Sequence, residues 1–229
     1  MLIRNLICSS VICCIPIVSL AAQDSSSTPH EMAIKTPEKG TVALTFDDGP
    51  NPEFTPKILA VLKKYNIKAT FFQVGAEAEK YPDMVKQVNA AGMAIGSHSQ
   101  THPMMTKISE SQLQNEVAQP IQIINKIIGK KPACLRYPFG ASNQHVRDVI
   151  RDHGMAPVAM GWNSFDYNRP GVEKIVNQVV NNAHSGTVIL LHDGFAGLNR
   201  QQTLEALPLI IEGIKKKGLG FSQICKNNS

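Results

Sequence analysis

The chain has 229 residues, of which 43% are hydrophobic and 18% charged, a composition that excludes disordered and fibrous proteins. Its 23 basic and 18 acidic side chains give a formal charge of +5, but the basic residues are scattered along the chain, and Lys215–Lys217 is the longest run. Aromatic residues make up only 6%. The basic clusters with interleaved aromatics that are typical of nucleic-acid binders are therefore missing, and we expect no nucleic-acid partner.

The first 22 residues have the pattern of a secretory signal peptide. Arg4 supplies a positive start, residues 6–20 are mostly apolar, and Ser19 and Ala21 place small side chains at a cleavage site. The apolar stretch is short for a membrane span, so we expect a periplasmic or secreted protein with no stable span after cleavage. Residues 23–39 are rich in Ser, Thr, Pro and charge, which predicts a flexible linker before a single domain over residues 40–229.

In that domain, short apolar stretches alternate with amphipathic ones. The pattern predicts seven strands, at Thr41–Phe46, Lys68–Val74, Met93–Ser97, Ala133–Tyr137, Met155–Met160, Thr187–Leu191 and Leu219–Ile224. It predicts six helices between them, at Phe54–Tyr65, Tyr81–Ala91, Ser109–Ile128, Asn143–His153, Val172–His184 and Gln201–Lys217. This alternation indicates parallel βαβ units, which form either an open doubly wound sheet or a barrel.

Residues that are typical of helix starts and ends support these assignments. Pro82 lies at the start of the second predicted helix, and Ser109 with Gln112 resembles a capping box at the start of the third. Gly129 follows the end of that helix. Pro208 lies inside the last predicted helix, where it predicts a kink or a break.

Signal cleavage would leave Cys134 and Cys225 as the cysteines of the mature chain. Two cysteines in an exported protein suggest a disulfide. However, Cys134 begins one predicted strand and Cys225 follows the end of another, and in a parallel barrel those positions lie at opposite ends. We therefore expect two buried thiols rather than a disulfide.

Polar side chains occur at the carboxyl ends of several predicted strands, or a few residues beyond them. In a parallel α/β barrel these ends lie on one face, which carries the active site. The residues are Asp47, Asp48, His98, Arg136, Asp166 and His192.

Two of these groups have recognisable chemistry. Asp47 and Asp48 are adjacent, so one carboxylate can bind a cation while the other acts as a base, although an Asp-rich turn would look the same. His98 and His102 lie four residues apart and, with one carboxylate, form a donor set for zinc, cobalt, nickel, manganese or iron. A chance histidine pair is the alternative. His192 ends an apolar strand, where a buried, hydrogen-bonded histidine is equally expected.

Taken together, these motifs resemble the polysaccharide deacetylase family, also called carbohydrate esterase family 4 or the NodB-homology domain. The resemblance extends from Thr41 to Phe221 and includes a second strand that resembles the family's at Ala69–Gly75. The five family motifs match, in order, Thr45–Pro50, His98–His102, Arg136–Gly140, Asn163–Tyr167 and Leu190–His192. The resemblance implies a distorted (β/α) barrel and metal-dependent removal of N-acetyl groups from N-acetylated sugars.

The resemblance also implies a role for each matched residue. Asp48, His98 and His102 would hold a divalent metal, for which we favour zinc over cobalt, nickel or manganese. Asp47 would be the general base, oriented by Arg136. His192 would be the general acid, oriented by Asp166. The backbone N–H of Phe139 would stabilise the oxyanion, and Leu190 would line the pocket for the acetyl methyl group.

Departures from the family pattern affect the substrate groove. Tyr167 replaces a tryptophan that is common in the fourth motif, and Phe139 replaces a common tyrosine. Trp162 and Tyr137 are further candidates for substrate contacts, although Trp162 is equally expected in the core. We expect a cell-wall polysaccharide as substrate, with peptidoglycan favoured over chitin oligosaccharides or an exopolysaccharide. The alternative outside the enzyme class is a relative of the family that binds carbohydrate but has lost catalysis. The sequence gives no indication of the oligomeric state.

Overall fold

The computed structural model describes residues 36–195 and 198–226. The predicted signal peptide and most of the predicted linker lie outside the described residues. Residues 36–39 form neither helix nor strand, and Pro37 is buried. The domain that follows consists of one twisted parallel sheet surrounded by helices.

The sheet contains eight strands. They are β1 (Thr41–Gly49), β2 (Thr70–Gln73), β3 (Ala94–Ser97), β4 (Cys134–Arg136), β5 (Ala156–Val158), β6 (Trp162–Asn163), β7 (Val188–His192) and β8 (Gly220–Phe221). Seven follow the order β5-β4-β3-β2-β1-β7-β6, and β8 pairs with β1. All of these pairs are parallel. The prediction of a distorted (β/α) barrel in a single domain is confirmed.

Seven α-helices cover the outside of the sheet in the described part of the chain. They are α1 (Phe54–Lys64), α2 (Gly75–Lys80), α3 (Pro82–Ala90), α4 (Glu110–Ile128), α5 (Gln144–Asp152), α6 (Val172–Asn182) and α7 (Gln201–Lys216). Short 3₁₀ turns follow β3, β4 and β6. The predicted capping box at Ser109 and Gln112 is present, and Gly129 ends α4 in the left-handed conformation with φ 69°.

Side chains of β1 alternate between two hydrophobic layers. Val42, Leu44 and Phe46 pack outward against the helices, in a large cluster that includes residues of α1, α3, α6 and α7. Ala43 points the other way, into a small cluster with Phe72. This alternation is the normal period of a strand, and burial on both sides explains why β1 is apolar throughout most of its length.

Two short elements of the fold were not predicted. Helix α2 has only six residues and β6 only two, so neither is long enough to show a period. Pro208 was expected to kink or break the last helix, and no break occurs there, because α7 continues through that residue.

The expectation of two free thiols was also wrong, because Cys134 and Cys225 form a disulfide. Strand β8 ends at Phe221, earlier than predicted, and the chain then turns beneath the barrel. The backbone N–H of Ile224 donates to Thr70 Oγ1, and that hydroxyl donates to the Ile224 carbonyl. Cys225 therefore reaches the amino ends of the strands, where Cys134 begins β4.

Replacing both Cys134 and Cys225 by alanine should lower the free energy of unfolding by about 2–5 kcal/mol, because the disulfide closes a loop of 91 residues. Urea denaturation followed by circular dichroism measures this change. Adding a thiol reductant should destabilise the native chain but leave the double variant unaffected. Equal unfolding midpoints for the two proteins would contradict the prediction.

Candidate active site

A cavity of about 350 Å³ opens at the carboxyl edge of the sheet. Its volume is typical of small-ligand sites. Most of the residues predicted for the site line it, namely Asp47, Asp48, His98, His102, Arg136, Tyr137, Phe139, Leu190 and His192. Asp166 lies behind His192, and Trp162 lies outside the cavity. The strand-end pattern in the sequence therefore identified side chains that the fold brings together.

Asp47 is fixed by a buried arginine. Arg136 Nη1 donates to Asp47 Oδ1 at 2.7 Å and to Thr45 Oγ1 at 2.8 Å. The guanidinium carbon lies 4.1 Å from the centroid of the Phe72 ring. Arg136 is 1% exposed and Asp47 is 3% exposed, so the pair is held away from bulk water. One oxygen of Asp47 is committed to Arg136, and Oδ2 remains on the cavity side, 3.7 Å from His98 Nε2.

Asp48, His98 and His102 form a candidate metal centre. Asp48 Oδ1 lies 3.5 Å from His98 Nε2 and 3.3 Å from His102 Nε2, and the three ligand atoms lie within 4.8 Å of one another. This buried oxygen has no hydrogen-bond partner in the described part of the chain. A carboxylate oxygen and two imidazole nitrogens form a donor set for zinc and similar divalent ions, so the residues fit a metal.

The tautomer of His98 suits a metal ligand. His98 Nδ1 lies 2.7 Å from the carbonyl oxygen of Arg136, and because a carbonyl can only accept, Nδ1 must carry the hydrogen. The lone pair is then on Nε2, which faces Asp48 and His102. Hydrogen bonds of this kind orient metal-binding histidines in known sites.

Charges in the site shift the pKa values of its members. Burial opposes a charge on Asp48, but the nearby imidazoles outweigh burial and hold the pKa of that carboxyl below its ordinary value. Burial also opposes a charge on His98, yet Asp47 and Asp48 raise the pKa of His98. Burial and the neighbouring His98 lower the pKa of His102, which favours the neutral form that a metal requires.

His192 and Asp166 form a second ion pair across the cavity. His192 Nδ1 lies 2.6 Å from Asp166 Oδ1, and the backbone N–H of His192 donates to Oδ2 at 2.9 Å. Ser164 and Thr203 also donate to the Asp166 carboxylate, at 3.0 and 2.7 Å. Burial opposes the charge on His192, but Asp166 outweighs it and raises the pKa of His192. His192 can therefore keep its proton at higher pH than an ordinary histidine.

Aromatic side chains surround the mouth of the cavity. Phe139, Tyr167 and Phe195 are exposed and line it. The rings of Phe139 and Phe195 contact the edge of His102, with centroids 4.7 and 5.5 Å away. Both phenylalanines have left-handed backbone, with φ 59° and 89°, a conformation that costs energy for a bulky residue.

Trp162, the remaining substrate-binding candidate, is placed differently. Its indole N–H donates to the carbonyl of Gln178 on α6 at 3.0 Å, so the ring lies against that helix. The side chain is 40% exposed.

The described histidines that match no motif also lie outside the cavity. His145 is on the surface of α5, and His153 and His184 follow the ends of α5 and α6.

Several residues at or behind the cavity were missed by the sequence reasoning, and four of them have polar side chains close to the predicted residues. Arg200 is buried, lines the cavity and places Nη2 3.5 Å from Asp48 Oδ2. Asn163 lines the cavity wall. Thr203 binds Asp166, as described above. Asp193 is fully buried, where burial raises its pKa to about 7, and it accepts a hydrogen bond from Thr55. Two of these positions had been marked by the sequence, because Asn163 begins the fourth motif and Asp193 follows His192.

The loop that carries His102 is held by Glu116 of α4. Glu116 Oε2 accepts from the backbone N–H groups of Gln100 and Thr101, both at 2.8 Å, and Oε1 accepts from the Thr101 hydroxyl at 2.6 Å. Ser99 and His102 both have left-handed backbone, so the loop is strained. A charged carboxylate with three donors is well suited to fix such a loop.

Comparisons with known proteins agree with this geometry. The family model for polysaccharide deacetylase matches residues 34–158. A peptidoglycan-N-acetylglucosamine deacetylase of Bacillus cereus is 40% identical over 79% of this chain and 84% of its own length. A chitooligosaccharide deacetylase of Azorhizobium caulinodans is 30% identical over 82% of this chain and 95% of its own length.

Solved structures show the same similarity. The crystal structure of a peptidoglycan N-acetylglucosamine deacetylase in complex with a naphthyl-substituted N-hydroxybenzamide superposes with a TM-score of 0.78. The two sequences are 36% identical, and the match covers 81% of this chain and 86% of the other.

Glu116→Ala should weaken zinc binding by about 10- to 100-fold, the effect typical of losing a residue that orients a metal ligand. Competition with a chromophoric chelator measures the dissociation constant. Glu110→Ala is the matched control, because Glu110 is also on α4 but contacts only Gln114 and His145 among the described residues. Equal zinc affinity for Glu116→Ala and the native chain would contradict the role assigned to Glu116.

Proposed function

Because this chain belongs to the polysaccharide deacetylase family, we propose that it removes N-acetyl groups from N-acetylglucosamine units of a cell-wall polysaccharide and releases acetate. We favour peptidoglycan as the polymer. The observation that supports the proposal best is the arrangement in one cavity of a candidate metal centre, a carboxylate fixed by arginine and a histidine fixed by aspartate.

A divalent ion held by Asp48, His98 and His102 would polarise the acetyl carbonyl and make an adjacent water molecule more acidic. Asp47 is placed to take the proton from that water. Its Oδ1 is bound to Arg136, so Oδ2 is the oxygen that accepts the proton. Because Asp47 is the register partner of His192 across β1 and β7, the base and the acid lie on neighbouring strands at the same level.

His192 supplies the second proton. As the carbon–nitrogen bond of the tetrahedral intermediate breaks, the sugar nitrogen needs a proton to leave as an amine. His192 Nδ1 is bound to Asp166, which leaves the proton on Nε2 for the departing nitrogen. Asp166 orients the ring and stabilises its positive charge. The products are acetate and a free amino sugar.

Other residues position the substrate. We assign stabilisation of the oxyanion to the backbone N–H of Phe139, which lies in the turn after β4 beside the metal centre. Leu190 lines the cavity and would contact the acetyl methyl group, and Tyr137 forms part of the same wall. The exposed rings of Phe139 and Tyr167 offer apolar faces against which sugar rings can pack. Trp162 would contact only a more distant part of a long chain.

The choice of polymer follows the relatives. The Bacillus cereus relative is named for peptidoglycan, and the Azorhizobium caulinodans relative for chitooligosaccharide. The first is more similar to this chain, so we place peptidoglycan first and chitooligosaccharides second. The proposed signal peptide at residues 1–22 and linker at 23–39 would deliver the domain to the periplasm or the exterior, where such a polymer lies. Zinc is the metal that we favour, with cobalt, nickel and manganese as alternatives.

The function is tested by measuring acetate released from N-acetylglucosamine oligomers and from purified peptidoglycan. Release should stop after chelation and return with zinc or cobalt. Asp47→Asn and His192→Ala should each reduce kcat by about 10²- to 10⁴-fold, because each removes a group that transfers a proton. His184→Ala is the matched control, since this histidine is exposed and distant from the cavity.

Two results would count against the proposal. Release that persists after chelation and in both variants would exclude the assigned site. Metal binding without release from either polymer would favour a carbohydrate-binding protein without catalysis. The relative rates on peptidoglycan and on the oligomers decide between the two substrates.

Asp166→Asn should move the alkaline limb of the kcat/KM pH profile to lower pH. Asp166 raises the pKa of His192, and His192 must be protonated to act as an acid, so its removal makes the active form disappear at lower pH. Thr203→Val is the control, since it removes one hydrogen bond to Asp166 but keeps the carboxylate. An unchanged alkaline limb in Asp166→Asn would show that His192 is not the acid.

A further inference from the structure

Lysines that are scattered in the sequence are gathered on one face of the fold. Segments 63–68, 126–131 and 215–217 each connect the end of a helix to the start of a strand. Because all strands are parallel, such connections lie at the amino edge of the sheet, opposite the cavity. Lys39 precedes β1 and Lys226 follows β8 at the same edge. Every lysine of these segments is exposed. Together they form what we call the basic face.

Contacts confirm that separate segments meet there. Lys64 and Lys215 lie over the same Tyr65 ring, with Nζ 5.6 and 5.5 Å from its centroid. Lys130 and Lys226 line a single shallow pocket of about 220 Å³. Lysines that are distant in the sequence therefore lie close together in two places on the basic face.

Few acidic groups oppose these lysines. Among the described residues, the carboxylates near the basic face are Glu38, Asp152 and Glu212. Asp152 is adjacent in sequence to Arg151, and Glu212 accepts a hydrogen bond from the Tyr65 hydroxyl at 2.5 Å. The formal excess of +5 in the whole chain is thus concentrated on this side of the domain.

The helix dipole explains only part of this pattern. Lysines in the last turn of a helix are favoured by the negative end of its dipole, which accounts for those of α1, α4 and α7. It does not account for Lys39, Lys68, Lys130, Lys131 and Lys226, which lie outside the helices.

From this charge distribution we infer that the basic face docks on an anionic phospholipid surface. The chain enters the domain at the same edge, at Thr41, so the linker predicted to follow the signal peptide joins the domain on the basic face. Lysines dominate the basic face, and Trp162 is an exposed apolar side chain that shares a pocket with one of them, Lys217. The contact would therefore be mainly electrostatic and sensitive to salt.

Docking in this way directs the cavity away from the membrane. The cavity is at the carboxyl edge of the sheet, and none of the described lysines lines it. The substrate mouth would therefore face outward, towards polymer beyond the membrane. This inference concerns a different face from the proposed catalytic function, and either can fail without the other.

Sedimentation with lipid vesicles tests the inference on the full chain. We expect binding to phosphatidylcholine vesicles that contain phosphatidylglycerol, with loss of binding at high salt. Pure phosphatidylcholine vesicles measure any binding by apolar residues 6–20, because that binding does not require lipid charge. Acetate release from soluble oligomers should be unchanged when vesicles are present.

The test variant carries Lys63→Gln, Lys130→Gln and Lys216→Gln, one change in each segment. Each lysine near an anionic surface contributes about fivefold to binding, so the triple variant should bind roughly a hundredfold more weakly. The matched control changes three exposed lysines away from the basic face, Lys86, Lys107 and Lys174, to glutamine. Circular dichroism verifies that both variants are folded.

Three results would overturn the inference. The first is equal binding of the native chain to the two kinds of vesicle, and the second is a loss of binding in the control variant as large as that in the test variant. The third is binding to a phosphate-bearing wall polymer with no binding to anionic vesicles, which would assign the basic face to the wall instead.

Discussion

The position of β1 between β2 and β7 is the constraint on which the site depends. Its parallel register sets Asp47 opposite Phe72 on one side and His192 on the other. A slip of one residue would turn every side chain of β1 to the opposite face of the sheet. Leu44 and Phe46 would then leave the outer core, and the cost of exposing or misplacing these buried side chains fixes the register. The hydrophobic core therefore determines that Asp47 and His192, the proposed base and acid, face each other.

The adjacent aspartates make different contacts because the backbone between them changes conformation. Neighbouring residues of a regular strand point to opposite faces. The register with β2 shifts between Asp47 and Gly49, and Asp48 has left-handed backbone with φ 73°. Both carboxylates consequently reach the same cavity, where Asp47 binds Arg136 and Asp48 faces the two histidines. Burying Arg136 is costly, and its hydrogen bonds to Asp47 and Thr45 offset that cost.

Local patterns in the sequence predicted the features of the fold that depend on residues close together in the chain. Periodicity identified the long helices and most strands, and strand ends identified the residues of the cavity. Partners that meet only through the fold were missed. Glu116 occupies an ordinary helical position, and its role exists because the loop at Gln100 and Thr101 packs against α4. The disulfide was missed for a similar reason, since Cys225 reaches Cys134 only because β8 is short.

One property of the topology produces both faces of the domain. A parallel sheet with helical connections places the carboxyl ends of all strands at one edge. It places the carboxyl ends of the connecting helices at the opposite edge. The carboxylates and imidazoles of the cavity, which must lie close together, are at the first edge. The second collects solvated helix ends, where lysine is the favoured residue. The length of the strands separates the two groups and keeps the lysine charges away from Asp48, so the ammonium groups do not compete with a cation for its carboxylate.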